Sequence, residues 1–128
     1  MTQIKYLFLS LALLACGWNA VAQTTDEDAA LKQKINAAVM NVYDQQLEKE
    51  PGDYATRFAR SYQYFYNGQI EEALADITKT ITDCPEQDRE VLYDALLLRA
   101  KIYDKKNELD SEFADLKRAF AINSSNPN

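Results

Sequence analysis

Histidine is absent from the 128-residue chain. That excludes Ser–His–Asp and Cys–His nucleophilic arrangements, histidine-ligated zinc and an imidazole general base. Glycine is scarce, with three residues, and none sits in a loop that would cradle a phosphate. Proline also occurs three times. Positive charge is in deficit: 14 Lys and Arg stand against 20 Asp and Glu, for a net charge of −6. No basic nucleic-acid footprint is expected. What is present is ordinary for one folded domain, 47% hydrophobic and 27% charged.

The first 22 residues read as an export signal rather than part of the fold. Lys5 is their only charge, and an apolar run follows from Tyr6 to Ala15. That run is short for a membrane span, and small residues come after it. Ala20-Val21-Ala22 matches an A-x-A cleavage site, which makes Gln23 the new N-terminus. The expected location is therefore periplasmic or secreted. Leu13-Leu14-Ala15-Cys16 competes with this reading as a bacterial lipobox. In that case Cys16 is lipidated and the chain is a membrane-anchored lipoprotein. Either way Cys84 remains as a single thiol, unable to form an internal disulfide. No cation cluster flanks it to activate it, so it reads as a small packing residue.

Residues 23–27 are polar and acidic and read as a short flexible lead, with Thr25 or Asp26 available to cap a helix. The folded domain is expected over 28–122 and a polar tail over 123–128. Apolar residues at Leu31, Ile35, Ala38, Val39, Val42 and Leu47 recur at helical spacing from Asp28 to Glu48. Pro51-Gly52 stops that helix. A second helix runs from Asp53 to Tyr66, and Gly68 is placed to take the left-handed conformation after it. A third spans Gln69 to Thr82 and stops at Cys84-Pro85. A fourth covers Asp88 to Lys105, with Asn107 breaking the chain as Gly68 does. A fifth carries Leu109, Phe113, Leu116, Ala119 and Phe120. No segment alternates with period two long enough to argue for a strand, so the fold class is all-α.

The chain repeats itself. Pro51 and Pro85 each close a helix, and an offset of 39 residues superposes Arg60 on Arg99, Gly68 on Asn107, Ile70 on Leu109 and Asp76 on Asp115. The whole unit is a helix–turn–helix. Arg60 precedes Asp76 by 16 residues, and Arg99 precedes Asp115 by the same interval. An antiparallel pair would bring each Arg to its Asp, fixing the register if the contact is bidentate.

Ser61, Tyr64, Gly68, Ala73, Ile77 and Pro85 in the first copy resemble the tetratricopeptide repeat (TPR) family, and Tyr64 to Leu74 is especially typical. Ala100, Tyr103, Leu116 and Ala119 match in the second copy. There Asn107 replaces the turn Gly, Ser124 the closing Pro, and Glu112 a small Ala. The resemblance covers about 100 residues. It implies stacked helix hairpins forming a right-handed α-solenoid fragment, with about two repeats behind an N-terminal helix. Small residues at Ser61 and Ala73 would let the paired helices approach closely.

The resemblance also implies where a ligand binds, because the first helix of each repeat lines a concave groove. Those positions are Ala55, Phe58, Tyr62, Phe65 and Tyr66, then Asp94, Leu97, Lys101, Asp104 and Lys105. Aromatic rings with polar tips are good anchors for a protein or peptide partner. The competing expectation is that an N-terminal helix or a second protomer covers these rings, in a homo-oligomer. Glu71-Glu72 and Asp26-Glu27-Asp28 are read as helix-start carboxylates rather than metal ligands. Lys101, Lys105 and Lys106 are read as a solvated patch. No enzymatic activity, metal or cofactor is expected. The expected role is protein binding by an exported scaffold, and the alternative is a structural envelope subunit anchored through Cys16.

Overall fold

Capping chemistry sets the limits of the second and fourth helices in the computed structural model, which describes the backbone of residues 2–124 and the side chains of residues 25–124. Five helices follow in order: α1 (Thr2–Lys49), α2 (Tyr54–Tyr66), α3 (Ile70–Asp83), α4 (Arg89–Lys105) and α5 (Leu109–Ser124). Asp53 caps α2 by accepting from the Thr56 amide at 2.9 Å, and Asp88 caps α4 by accepting from the Val91 amide. Gly68 at φ +78° and Asn107 at φ +59° make the left-handed turns that follow α2 and α4. No strand occurs among the described residues, as the absence of period-two patterning predicted.

α1 departs from expectation. Residues 23–27 are helical rather than a flexible lead, and Thr25 and Asp26 are interior positions, not caps. Gln-Thr-Thr-Asp-Glu contains no Gly or Pro, so nothing forces the backbone out of the helix there. Asn123 and Ser124, assigned to the tail, complete α5. The proposed cleavage at Ala22 and lipidation at Cys16 fall on side chains outside the described residues. Among the described residues no helix is long and apolar enough to cross a membrane.

The chain divides into two units, residues 1–39 and 40–128. The first is helical throughout its described length, and its Leu31 and Ile35 are exposed. The second holds the core. Within it α2 packs along α3 and α4 along α5, while α3 meets α4 and α2 makes a smaller contact with α4. Ala73, Ile77, Ile81, Leu92, Ala95, Leu96, Leu98, Ile102 and Ala119 form the buried cluster. Leu47, from the end of α1, is also buried.

Close approach of α2 and α3 rests on Ser61 and Ala73, both fully buried. The Ser61 hydroxyl donates to the Ala73 carbonyl at 2.8 Å, so the small residue also satisfies its own polar group. Both expected Arg–Asp contacts form, and both are bidentate. Arg60 reaches Asp76 through Nε at 2.7 Å and Nη2 at 2.9 Å. Arg99 reaches Asp115 through Nε and Nη2, each at 2.7 Å. Each guanidinium also lies 5.8 Å from a ring one turn later, Tyr64 and Tyr103 respectively. Arg60 additionally holds Asp44 at 2.8 Å, which ties the last turns of α1 to α2.

Leu116 corrects the equivalence with Ile77. Ile77 is fully buried, whereas Leu116 is exposed, together with Leu109, Phe113 and Phe120. Ile77 lies on α3, which packs against both α2 and α4, while among the described residues α5 has only α4 as a packing neighbour. The spacing that reads as a core stripe is therefore an uncovered stripe on α5.

Candidate functional site

α2 places aromatic residues at every fourth position, Phe58, Tyr62 and Tyr66, so the three rings rise along one side of the helix. Phe58 and Tyr62 have centroids 6.4 Å apart, and Tyr62 and Tyr66 lie 4.8 Å apart. The two phenol oxygens are 3.1 Å from each other. That hydrogen bond raises the Tyr62 phenol above its ordinary range. Tyr62 and Tyr66 are exposed, at 42% and 67%. They lie at the surface rather than in the core.

The smaller contact between α2 and α4 opens a cleft of about 340 Å³ lined by Phe58, Tyr62, Asp94, Leu97, Leu98 and Lys101. Five of these six residues are groove positions identified from the sequence. They arrive from two different helices, which the sequence joined only through the repeat offset. Leu98 was missed; it is buried and forms the apolar floor. Phe65 and Tyr66 lie outside this lining. Phe65 instead packs edge-on against Tyr66 at 6.0 Å and touches the core cluster. Ala55, Asp104 and Lys105 are exposed and also outside it.

The cleft is apolar at its base, with Phe58, Leu97 and Leu98, and carries one charge of each sign at its edge, Asp94 and Lys101. A site of this kind suits an apolar side chain whose flanking backbone or polar groups can bond at the rim.

Several polar groups outside the cleft have structural roles. Lys106 binds Glu71 at the surface and so joins the end of α4 to α3. Glu71 and Glu72 lie in the first turn of α3, as a capping role requires. Burial pushes the Cys84 thiol above its usual range, so it is a poor thiolate and a packing residue.

Arg57 was not foreseen as buried. It donates to Asp83 at 2.7 Å and to the Pro51 carbonyl, joining the start of α2 to the end of α3. A signal for it existed: the 39-residue offset sets Arg57 on Leu96 and Asp83 on Ile122, so an ion pair in one copy answers apolar residues in the other. Comparison of the chain with family models, with curated proteins and with solved structures finds no match in any of the three.

Proposed function

We infer that this chain is an exported, non-catalytic TPR-like scaffold that holds a segment of a partner protein in the cleft between α2 and α4. The convergence of Phe58, Tyr62, Asp94, Leu97 and Lys101 on one cleft carries the reading. In a stacked-hairpin array α2 and α4 are the first helices of successive repeats, so their shared face is where the resemblance puts a ligand. The duplicated Arg–Asp forks and the close Ser61–Ala73 contact support that arrangement. The A-x-A sequence ending at Ala22 supports export.

The fitting ligand is a short peptide that inserts one apolar or aromatic side chain between Tyr62 and Leu97. Its neighbouring groups would bond to Asp94 and Lys101 at the rim. Phe58 is unsuited to a clean test, because it also packs on the core. Tyr62 and Lys101 are exposed and can be changed without opening a cavity.

The test is selection of binders from a displayed random-peptide library on the full chain, followed by titration calorimetry. Enriched peptides should share an apolar anchor, and Tyr62→Ala or Lys101→Glu should weaken them about tenfold or more, with the thermal midpoint unchanged. Lys79→Ala, at the α3 carboxylate Asp83, should leave binding unaltered. Peptides that bind equally well to the Tyr62 and Lys101 variants would end this reading.

A further inference from the structure

The uncovered stripe on α5 is the largest apolar feature that the cleft does not use. Leu109, Phe113, Leu116 and Phe120 are 62%, 70%, 42% and 73% exposed. They sit at i, i+4, i+7 and i+11, so all four share one side of the helix. A neighbouring side, about 90–130° round from the centre of the stripe, carries Asp115 and Ala119, both buried against the rest of the fold. Four large side chains kept adjacent and wet constitute a patch, not scattered surface residues.

We propose that this face of α5 is a self-complementary interface that pairs two copies of the chain through an antiparallel α5–α5 contact. The register follows from the stripe. If Phe113 of one copy faces Leu116 of the other, then Leu109 faces Phe120, and the reciprocal contacts form by the same two-fold rotation. All eight side chains are then used, with none left over.

Charge selects the second copy as the occupant, and antiparallel as its direction. Asp110 and Lys117 flank the stripe on the same edge, about 70–90° round the helix from its centre. Neither takes part in an ion pair among the described residues. A two-fold rotation keeps that edge on the same side of the interface, so Asp110 of each copy lies beside Lys117 of the other. Their axial offset is about 3 Å, within reach of a lysine side chain. The pair occurs twice. A parallel two-fold pair would instead carry that edge to the other side of the interface and set Asp110 beside Glu112 of the other copy, like charge against like charge, about 3 Å apart in axial rise. Glu112 runs along the opposite edge, about 7.5 Å in axial rise from its symmetry mate. The favourable charge contact thus rests on the two Asp110–Lys117 pairs.

With four large side chains per copy, the contact falls short of the roughly 800 Å² per partner of a standard stable interface, so association in the micromolar range is expected. This interface is separate from the α2–α4 cleft and stands or falls independently of it.

Sedimentation equilibrium of the full chain over a concentration series tests the proposal. The expected result is a reversible dimer of twice the 14.6 kDa chain mass. Phe113→Asp should leave a monomer with unchanged helical circular dichroism, because the side chain is exposed. Asp110→Lys and Lys117→Asp should each weaken the dimer about three- to tenfold, and the double reversal should restore it to within about twofold. A chain that stays monomeric at about 100 μM overturns the proposal. So does a dimer that survives Phe113→Asp, including one abolished by Ile35→Asp, which would assign the contact to α1. Failure of the double reversal to rescue overturns the antiparallel register.

Discussion

The α2–α3 and α4–α5 hairpins repeat one plan and finish it differently. Both carry the Arg–Asp fork, and both set that Arg over a tyrosine one turn on. At the helix crossing they diverge. The first hairpin has Ser61 bonded to the backbone of Ala73, both fully buried. At the equivalent positions the second has Ala100, buried, and Glu112, half-exposed. At the far end the Arg57–Asp83 ion pair is replaced by Leu96 and Ile122. The fork is what the two hairpins need in common; the crossing and the far end vary with the number of neighbours. On α3, which packs against both α2 and α4, the crossing position is a small residue; on α5, which packs against α4 alone among the described residues, it is a carboxylate.

The strongest way to break that contrast is to exchange the crossing residues. Ala73→Glu buries a charge at a site with no room and no partner. It should cost more than about 4 kcal/mol and unfold the domain in urea denaturation. Glu112→Ala, the reverse exchange, should change stability by less than about 1 kcal/mol. If the two exchanges cost the same, the hairpins are not distinguished by their neighbours.

A smaller difference should separate the two forks. Asp115 is 6% exposed and is the only ion-pair partner of Arg99 among the described residues. Asp76 is 13% exposed, and its Arg60 keeps Asp44 as a second partner. Asp115→Ala should therefore cost about 3 kcal/mol and Asp76→Ala about 1–2 kcal/mol, measured as shifts in urea midpoint at constant m-value. Equal losses would show that the Asp44 contact does not support Arg60.

The smallest expected effect is on acid response. Hydrogen bonds from the Thr56 amide and hydroxyl hold the Asp53 carboxyl below its ordinary value of 3.8. Lys79 first, then Arg57, does the same for Asp83. A carboxyl depressed in the folded state contributes stability that is present above the unfolded pKa and lost as pH falls through the folded one. Stability should therefore be level above about pH 5 and decline below about pH 4. Asp53→Asn should flatten part of that decline, followed by thermal midpoint against pH.

Most of the helical plan is legible in the sequence because local chemistry dictates it. Asp53, Gly68, Asp88 and Asn107 cap or turn the chain wherever they occur, and the 16-residue spacing of Arg and Asp needs only two adjacent antiparallel helices. Exposure is a different matter. The stripe on α5 has the period of a core helix, and so does the run Leu31, Ile35 and Val42 on α1, yet all are wet. Periodicity records that a helix has an apolar side, and says nothing of whether another helix reaches it. The cleft shows the same division. Five of the residues lining it are positions that the family resemblance implies, whereas Phe65, which the resemblance implies equally, turns toward the core. The burial of Arg57 is not legible at its own position, because a charged side chain signals burial only when it is set against its apolar counterpart Leu96 in the other copy.

The two repeats also differ in length, and they do so at one end only. The capping residues Asp53 and Asp88 are 35 positions apart, whereas Gly68 and Asn107 are 39 apart. α4 has 17 residues against 13 in α2, so the difference is one extra turn at its start. The bend between paired helices is the datum from which each unit is measured, and slack accumulates at the mouth. Tyr54, at the start of α2, spans that mouth by donating its hydroxyl to Asp88 at 2.9 Å. Insertions of whole turns there should lengthen the module without unseating it, which makes the mouth, and not the bend, the place where such a chain can grow.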